Sequence, residues 1–296
     1  MNQAPDHPRD PLAWNVAVAL AFLALAAIRL TIPSKAFFDE VHYVPAARVL
    51  LALARPENVE HPLLGKELIA LGMRLFGDDP LGWRVLPLLF GTLGLFAAMR
   101  ALWFASASRF ASFAGGVLIA TDFMWFVMSR IAMLDVFMAT MTLVALWALA
   151  GALRENETGR RRLAIAGVAL GLAMAAKWNA APLAVLPGIA FAAVRFRDAG
   201  WGALTSGRGA PVAGITIWEA ALWLGLVPLA VYALTFVPAM FYAQDPLAPS
   251  GLLALHRHMI ELQEEVVKPH PYQSVWYQWM FDWRAIWFLY ENVDGA

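Results

Sequence analysis

Long apolar runs separated by short charged turns decide what this chain can become. A membrane-spanning helix needs about 20 mainly apolar residues. In hydrocarbon every backbone polar group must be paired within the protein, which leaves helices or closed barrels. The runs cover residues 12–32, 81–104, 110–128, 131–153, 163–176, 180–194 and 217–241, with KWN between the two shortest. They predict an all-α, polytopic membrane protein of about seven transmembrane helices. Composition agrees: 60% of the 296 residues are hydrophobic and 15% charged, against about 25% charged in soluble domains. The net charge is zero, so the basic stripe of a nucleic-acid partner is lacking. The absence of cysteine excludes disulfides, thiol catalysis and Cys-based zinc sites. The first run exceeds a usual signal-peptide core, and no small-residue cleavage site follows it.

Short loops rich in Arg and Lys face the cytoplasm. Arg100 and Arg109 follow the second run, RENETGRRR follows the fourth, and Arg195, Arg197 and Arg208 follow the sixth. The other short turns carry one cation each, Arg130 and Lys177. The N-terminus is therefore expected inside. The loop at about 33–80 and everything after 241 are expected outside. The cations of the long first loop are offset by its acids.

In that loop, LLGKELIALGMRLF (63–76) places Leu64, Leu68, Leu71 and Leu75 at helical spacing, with Lys66, Glu67 and Arg74 off the stripe. This predicts an amphipathic interfacial helix, and VPAARVLLALA (44–54) is a weaker second one. After the last run, tryptophans 276, 279, 283 and 287 share one helical face, with Gln278 and Asp282 roughly opposite, which predicts another interfacial helix. Two units follow: a transmembrane core over 1–241 and an outer segment over 242–296.

The expected outer surface gathers Asp39, Glu40, His42, His61, Lys66, Arg84, Arg130, Asp135 and Lys177. Acids beside a span are costly and point to function. Cations with a carboxylate there suit an anionic, lipid-linked substrate and a general base. The bland readings are concrete. Asp39 and Glu40 can cap a helix, Arg84 can snorkel, and Lys66 can belong to a polar helix face. Arg130 and Asp135 are read as a structural ion pair. His256, His258 and His270, with Glu261, Glu264 and Glu265, match no compact metal spacing and read as a solvated loop.

FFDEVHYVPAAR, EHPLLGKELIALGMRLFG and GWRVLPLLFG, in that order, resemble the protein O-mannosyltransferase family. SRIAMLD, GLAMAAKWNAAP and HPYQSVWYQW resemble its later segments. The resemblance implies a C-type glycosyltransferase fold in a bacterial inner membrane. It implies inverting transfer of a sugar, mannose being expected, from a polyprenyl phosphate to Ser/Thr hydroxyls of a protein acceptor. Asp39 matches the family's proposed base, and Glu40 would orient it or bind acceptor backbone. Arg84 would hold the donor phosphate, with Lys66, His61 and Lys177 lining the pocket and Arg130, Asp135 and His270 in support. No cofactor is expected, a divalent ion near His42 being the alternative. Two positions depart from the pattern: Leu63 and Met280 stand where the family usually has proline. The family's later transmembrane helices have no counterpart here, so a truncated gene product, a fragment or a naturally short form is expected. The rivals are transfer to a lipid acceptor and a non-catalytic membrane scaffold.

Overall fold

A computed structural model describes residues 9–264, 273–281, 283–284, 286 and 288–289. Among these residues there are helices and no strands. In order they are α1 (Leu12–Ala27), α2 (Glu40–Leu51), α3 (Leu64–Phe76), α4 (Pro80–Ser106), α5 (Arg109–Thr121), α6 (Phe123–Met128), α7 (Leu134–Arg154), α8 (Gly159–Ala176), α9 (Ala181–Ala199), α10 (Ile217–Ala221), α11 (Val227–Leu234), α12 (Leu252–Glu264) and α13 (Trp276–Met280). Among the described residues four helical stretches are long and apolar enough to cross a membrane: Pro80–Ser106, Leu134–Arg154, Trp178–Leu204 and Ile217–Phe241. Leu12–Ala27 and Arg109–Thr121 are shorter apolar helices. Large apolar residues are exposed along α1, α5, α9 and α11, as a lipid-facing surface requires.

Local chemistry sets the ends. Asp79 accepts from the backbone N–H of Leu81 (2.8 Å) and Gly82 (3.2 Å), and Pro80 opens α4, the usual start of a helix. Ser108 caps α5. Asp122 caps α6 through the N–H of Trp125 at 2.7 Å. The run at 110–128, expected as one span, is thereby cut in two: a side chain that satisfies the backbone locally competes with helix continuation. The last run carries a π-helical insert at Leu222–Leu226 between α10 and α11.

The layers follow from small residues. α4 packs on α7 and α7 on α8, while α1 and α5 flank α4 and α11 covers α8. A Cβ on Gly167 of α8 would lie 1.9 Å from the Trp223 carbonyl oxygen, so only glycine allows the π-helical insert that close. α2 and α3 are not loose surface helices. They pack on α4 through a core of Tyr43, Val44, Ile69, Met73 and Trp83, joined by Leu134 and Phe137 of α7.

Three sequence expectations change here. α3 exists as predicted, but its buried side is Gly65, Lys66, Ile69, Gly72 and Met73, while Leu71 and Leu75 face outward. Lys66 therefore does not belong to an exposed polar face. The tryptophan helix ends at Met280, after five residues. Trp276, Trp279 and Trp283 are exposed, Trp283 lies beyond the helix, and Asp282 and Trp287 lie outside the described residues. The segment after 241 also returns to the core. Backbone N–H groups of Ala243 and Gln244 donate to the carbonyls of Leu53 and Ala54, and Tyr242 packs with Leu50, Leu63 and Phe236.

Candidate functional site

The site is built where α2 begins. Phe38 has φ +53°, a left-handed conformation that costs a bulky residue energy and that clusters at functional sites. It turns the chain so that Asp39 and Glu40 point into different surroundings.

Glu40 is fully buried. Its Oε1 accepts from Arg84 Nε and from the Ala132 N–H, both at 2.8 Å. Its Oε2 accepts from Arg84 Nη2 at 2.8 Å and from the Phe37 N–H at 3.3 Å. The pair is bidentate, the strongest arrangement open to a guanidinium and a carboxylate. Arg84, also fully buried, gives its remaining donors to the carbonyls of Leu30 (3.1 Å), Pro33 (2.7 Å) and Lys35 (3.1 Å). All five N–H groups are engaged, so Arg84 has none left for a phosphate. Arg84, expected as a phosphate ligand, cross-links α4, α2 and residues 30–35. Glu40 spends both carboxylate oxygens on Arg84 and on the N–H groups of Phe37 and Ala132.

Lys66 is likewise committed. Its ammonium donates to the carbonyls of Asn58 (2.6 Å), His61 (2.9 Å) and Glu57 (3.4 Å). Burial pushes its pKa down to about 7, against the opposing pull of the Glu60, Glu67 and Glu57 charges. Three donors meet three acceptors, so Lys66 holds the loop rather than a ligand. The His61 ring rests edge-on against Tyr43 at 5.8 Å, and its buried Nδ1 has no partner. Burial first, then the Lys177 and Lys66 charges, lower its pKa to about 4, so the ring is neutral at pH 7.

Asp39 differs from all of these. It precedes α2 but makes no side-chain capping bond, which removes the bland capping explanation. It is half-buried. Burial raises its pKa above the usual value, the Lys177 and His42 charges pull it down, and Asp135 adds to the rise. Lys177 Nζ reaches both Asp135 carboxylate oxygens, at 2.9 and 3.0 Å. Asp39, His42, Asp135 and Lys177 thus form one electrostatic cluster. Its partly exposed members could meet a ligand.

The expected Arg130–Asp135 pair does not form. Arg130 Nη2 donates to the Ile28 carbonyl at 2.5 Å and its guanidinium lies over the Phe126 ring, while Asp135 takes Lys177. The signal for that pairing was topological. Asp135 opens α7 and Lys177 follows α8, so an antiparallel hairpin brings both to one end. A second contact left no signal in the sequence: Phe288, late in the chain, packs on Phe38 with ring centres 4.9 Å apart.

Beyond His61 lies a cavity of about 250 Å³, lined by Glu57, Leu63, Phe236, Tyr242 and Leu247 among others. It touches none of Asp39, Asp135 or Lys177. Among the described residues no three His, Asp or Glu side chains come together as metal ligands. His256 is held by the Tyr232 hydroxyl (2.6 Å) and the Leu252 carbonyl (2.7 Å). His270 and Glu265 lie outside the described residues.

Residues 60–201 match the family model for dolichyl-phosphate-mannose-protein mannosyltransferase. The polyprenol-phosphate-mannose–protein mannosyltransferase of Corynebacterium glutamicum is 34% identical over 178 residues, covering 48% of this chain and 34% of that protein. The protein of the same name from Mycolicibacterium smegmatis is 28% identical and covers 98% of this chain and 67% of its own length. The chain thus spans between one third and two thirds of these relatives. The donor-bound Pmt1–Pmt2 protein O-mannosyltransferase complex of S. cerevisiae superposes with a TM-score of 0.60 at 19% identity, over 79% of this chain and 37% of that one.

Proposed function

This chain is a relative of the protein O-mannosyltransferases with the C-type glycosyltransferase fold, and from that premise we propose that it moves mannose from a polyprenyl phosphate to Ser/Thr hydroxyls. The reaction takes place on the outer face of the membrane and inverts the anomeric centre. The observation that carries this reading is Asp39: a half-buried carboxylate with no capping bond, held beside Lys177 by the buried Glu40–Arg84 cross-link.

A hydroxyl is a poor nucleophile until a base takes its proton. Asp39 accepts that proton while the hydroxyl oxygen forms its bond to the anomeric carbon. The bond from that carbon to the phosphate oxygen breaks in the same step, and the polyprenyl phosphate leaves with the electron pair. The leaving phosphate needs positive charge, not a proton. Lys177 is the cation whose charge acts most on Asp39, and its salt bridge to Asp135 keeps it in place until a phosphate shares it. His61 is neutral and contributes no charge. Glu40, Arg84 and Lys66 act at one remove by fixing the loop.

The test supplies labelled polyprenyl-phosphate mannose and a Ser/Thr-rich peptide to membranes containing the chain or its Asp39→Asn variant. Loss of a general base costs about 10²- to 10⁴-fold, so label should reach the peptide with the wild type and fall by that factor in the variant. Label in the lipid fraction would move the acceptor to a lipid. No transfer by a folded, inserted wild type would leave a scaffold without catalysis.

A further inference from the structure

Residues 30–35, which Arg84 ties down, also border an open groove of about 440 Å³. Leu25, Ile28, Ile32 and Phe126 give it apolar walls, and Arg29 and Arg130 supply charge. Leu25 and Ile28 are 54% and 58% exposed, so the groove opens onto the surface that meets lipid. It shares no residue with the Asp39 cluster.

Arg130 is the unusual member. One of its nitrogens is bonded to the Ile28 carbonyl and its plane lies 5.1 Å from the centre of the Phe126 ring. Its Nε is buried with no partner. Among the described residues no carboxylate pairs with it, and the charges that perturb it are Arg84 and Arg29, both positive. Glu40 neutralises Arg84, whereas Arg130 has no such carboxylate among the described residues. A half-buried guanidinium next to like charges is costly unless an anion joins it.

We propose that this groove binds an anionic glycerophospholipid of the bilayer, with the phosphate on Arg130 and Arg29 and the first methylenes against Leu25, Ile28, Ile32 and Phe126. The bound lipid joins the end of α1 to the turn at Arg130. Two residues on, the Ala132 N–H holds Glu40 at 2.8 Å. The lipid therefore braces the frame behind Asp39 without entering the reaction.

The experiment measures lipid retention by native mass spectrometry, and Tm in nanodiscs, with phosphatidylglycerol, phosphatidylcholine and undecaprenyl phosphate as probes. Phosphatidylglycerol should be retained and should raise Tm relative to phosphatidylcholine. Losing a charged hydrogen-bond partner costs roughly tenfold in affinity, so Arg130→Ala should weaken retention by about that factor. Arg130→Ala also removes the bond to Ile28, so Ile28→Glu is the second variant. It places a carboxylate on the exposed rim, leaves that bond intact, and should abolish the preference for phosphatidylglycerol. Arg74→Ala, an exposed cation on α3, should change nothing. Equal retention of both phospholipids, or an unchanged preference in both groove variants, overturns the proposal. So does displacement of phosphatidylglycerol by undecaprenyl phosphate at equal concentration, which would make the groove a carrier-lipid site.

Discussion

Asp39 and Glu40 are neighbours in the chain, yet Glu40 has four donors and Asp39 no capping bond. The sign of the pH effect at Asp39 follows from its raised pKa. The folded protein binds this proton more tightly than the unfolded chain, so stability from the neutral acid is present below the ordinary aspartate value of about 3.9 and lost as pH rises through the folded value. Asp39→Asn should therefore match or exceed the wild-type Tm at pH 7, with the difference vanishing in strong acid. Activity runs the other way, because a base must be ionised. The acid limb of the pH–rate profile should sit above that of an ordinary carboxylate, and a limb at or below about 4 would count against Asp39 as the base. Removing one partner of a buried ion pair costs about 3–5 kcal/mol, while replacing both is often neutral. Arg84→Ala should thus abolish folded protein in membranes, and Glu40→Leu with Arg84→Met should restore part of it. If the double variant were worse than the single one, the cross-link reading would fail. The acid pair was legible in sequence as a costly feature beside a span. Which acid stays available was not, because the partner of Glu40 lies 44 residues away and no local pattern reports such a contact.

Helices were legible from apolar periodicity wherever the run was long, as in α4 and α7. Two kinds of detail escaped it. Asp122 sits inside an apolar run and reads as a tolerated polar residue, but as a cap it ends one helix and starts another. Gly72 reads as a weak point in α3, yet it is the place where α3 crosses α4. A Cβ there would lie 2.2 Å from the Gly82 carbonyl oxygen, and backbone does not yield as a flexible side chain does. Overpacking of this kind costs about 1–3 kcal/mol. Gly72→Ala should lower Tm and, by displacing the start of α4 just before Arg84, reduce transfer as well. Gly202→Ala, where a Cβ would meet nothing within 4 Å, should leave both unchanged. Equal effects from the two substitutions would show that the crossing does not position the site.

For the molecule as a whole, the alternation of apolar runs and the contacts between them agree. Counting runs from the N-terminus puts Ile28, Asp39, Arg84, Arg130, Asp135 and Lys177 at one membrane surface. The bonds Arg130–Ile28, Glu40–Arg84, Glu40–Ala132 and Asp135–Lys177 join those same places. Arg100, Arg154, Arg160 and Arg195 fall at the opposite ends of the helices, bonded to Asp10, the Trp103 carbonyl, Glu219 and the Val212 carbonyl. The bonds therefore distinguish two ends of the helices, and by the positive-inside rule the arginine-rich end is expected in the cytoplasm. Since the chain has no cysteine, single cysteines can test that assignment without background. Lys35→Cys, at an exposed position in the first loop, should react with a membrane-impermeant maleimide added to intact cells. Glu157→Cys, exposed after α7, should react only after permeabilisation. The reverse pattern would turn the molecule over and place Asp39 in the cytoplasm. The catalytic chemistry could survive that result, but the donor would then have to be met on the inner face.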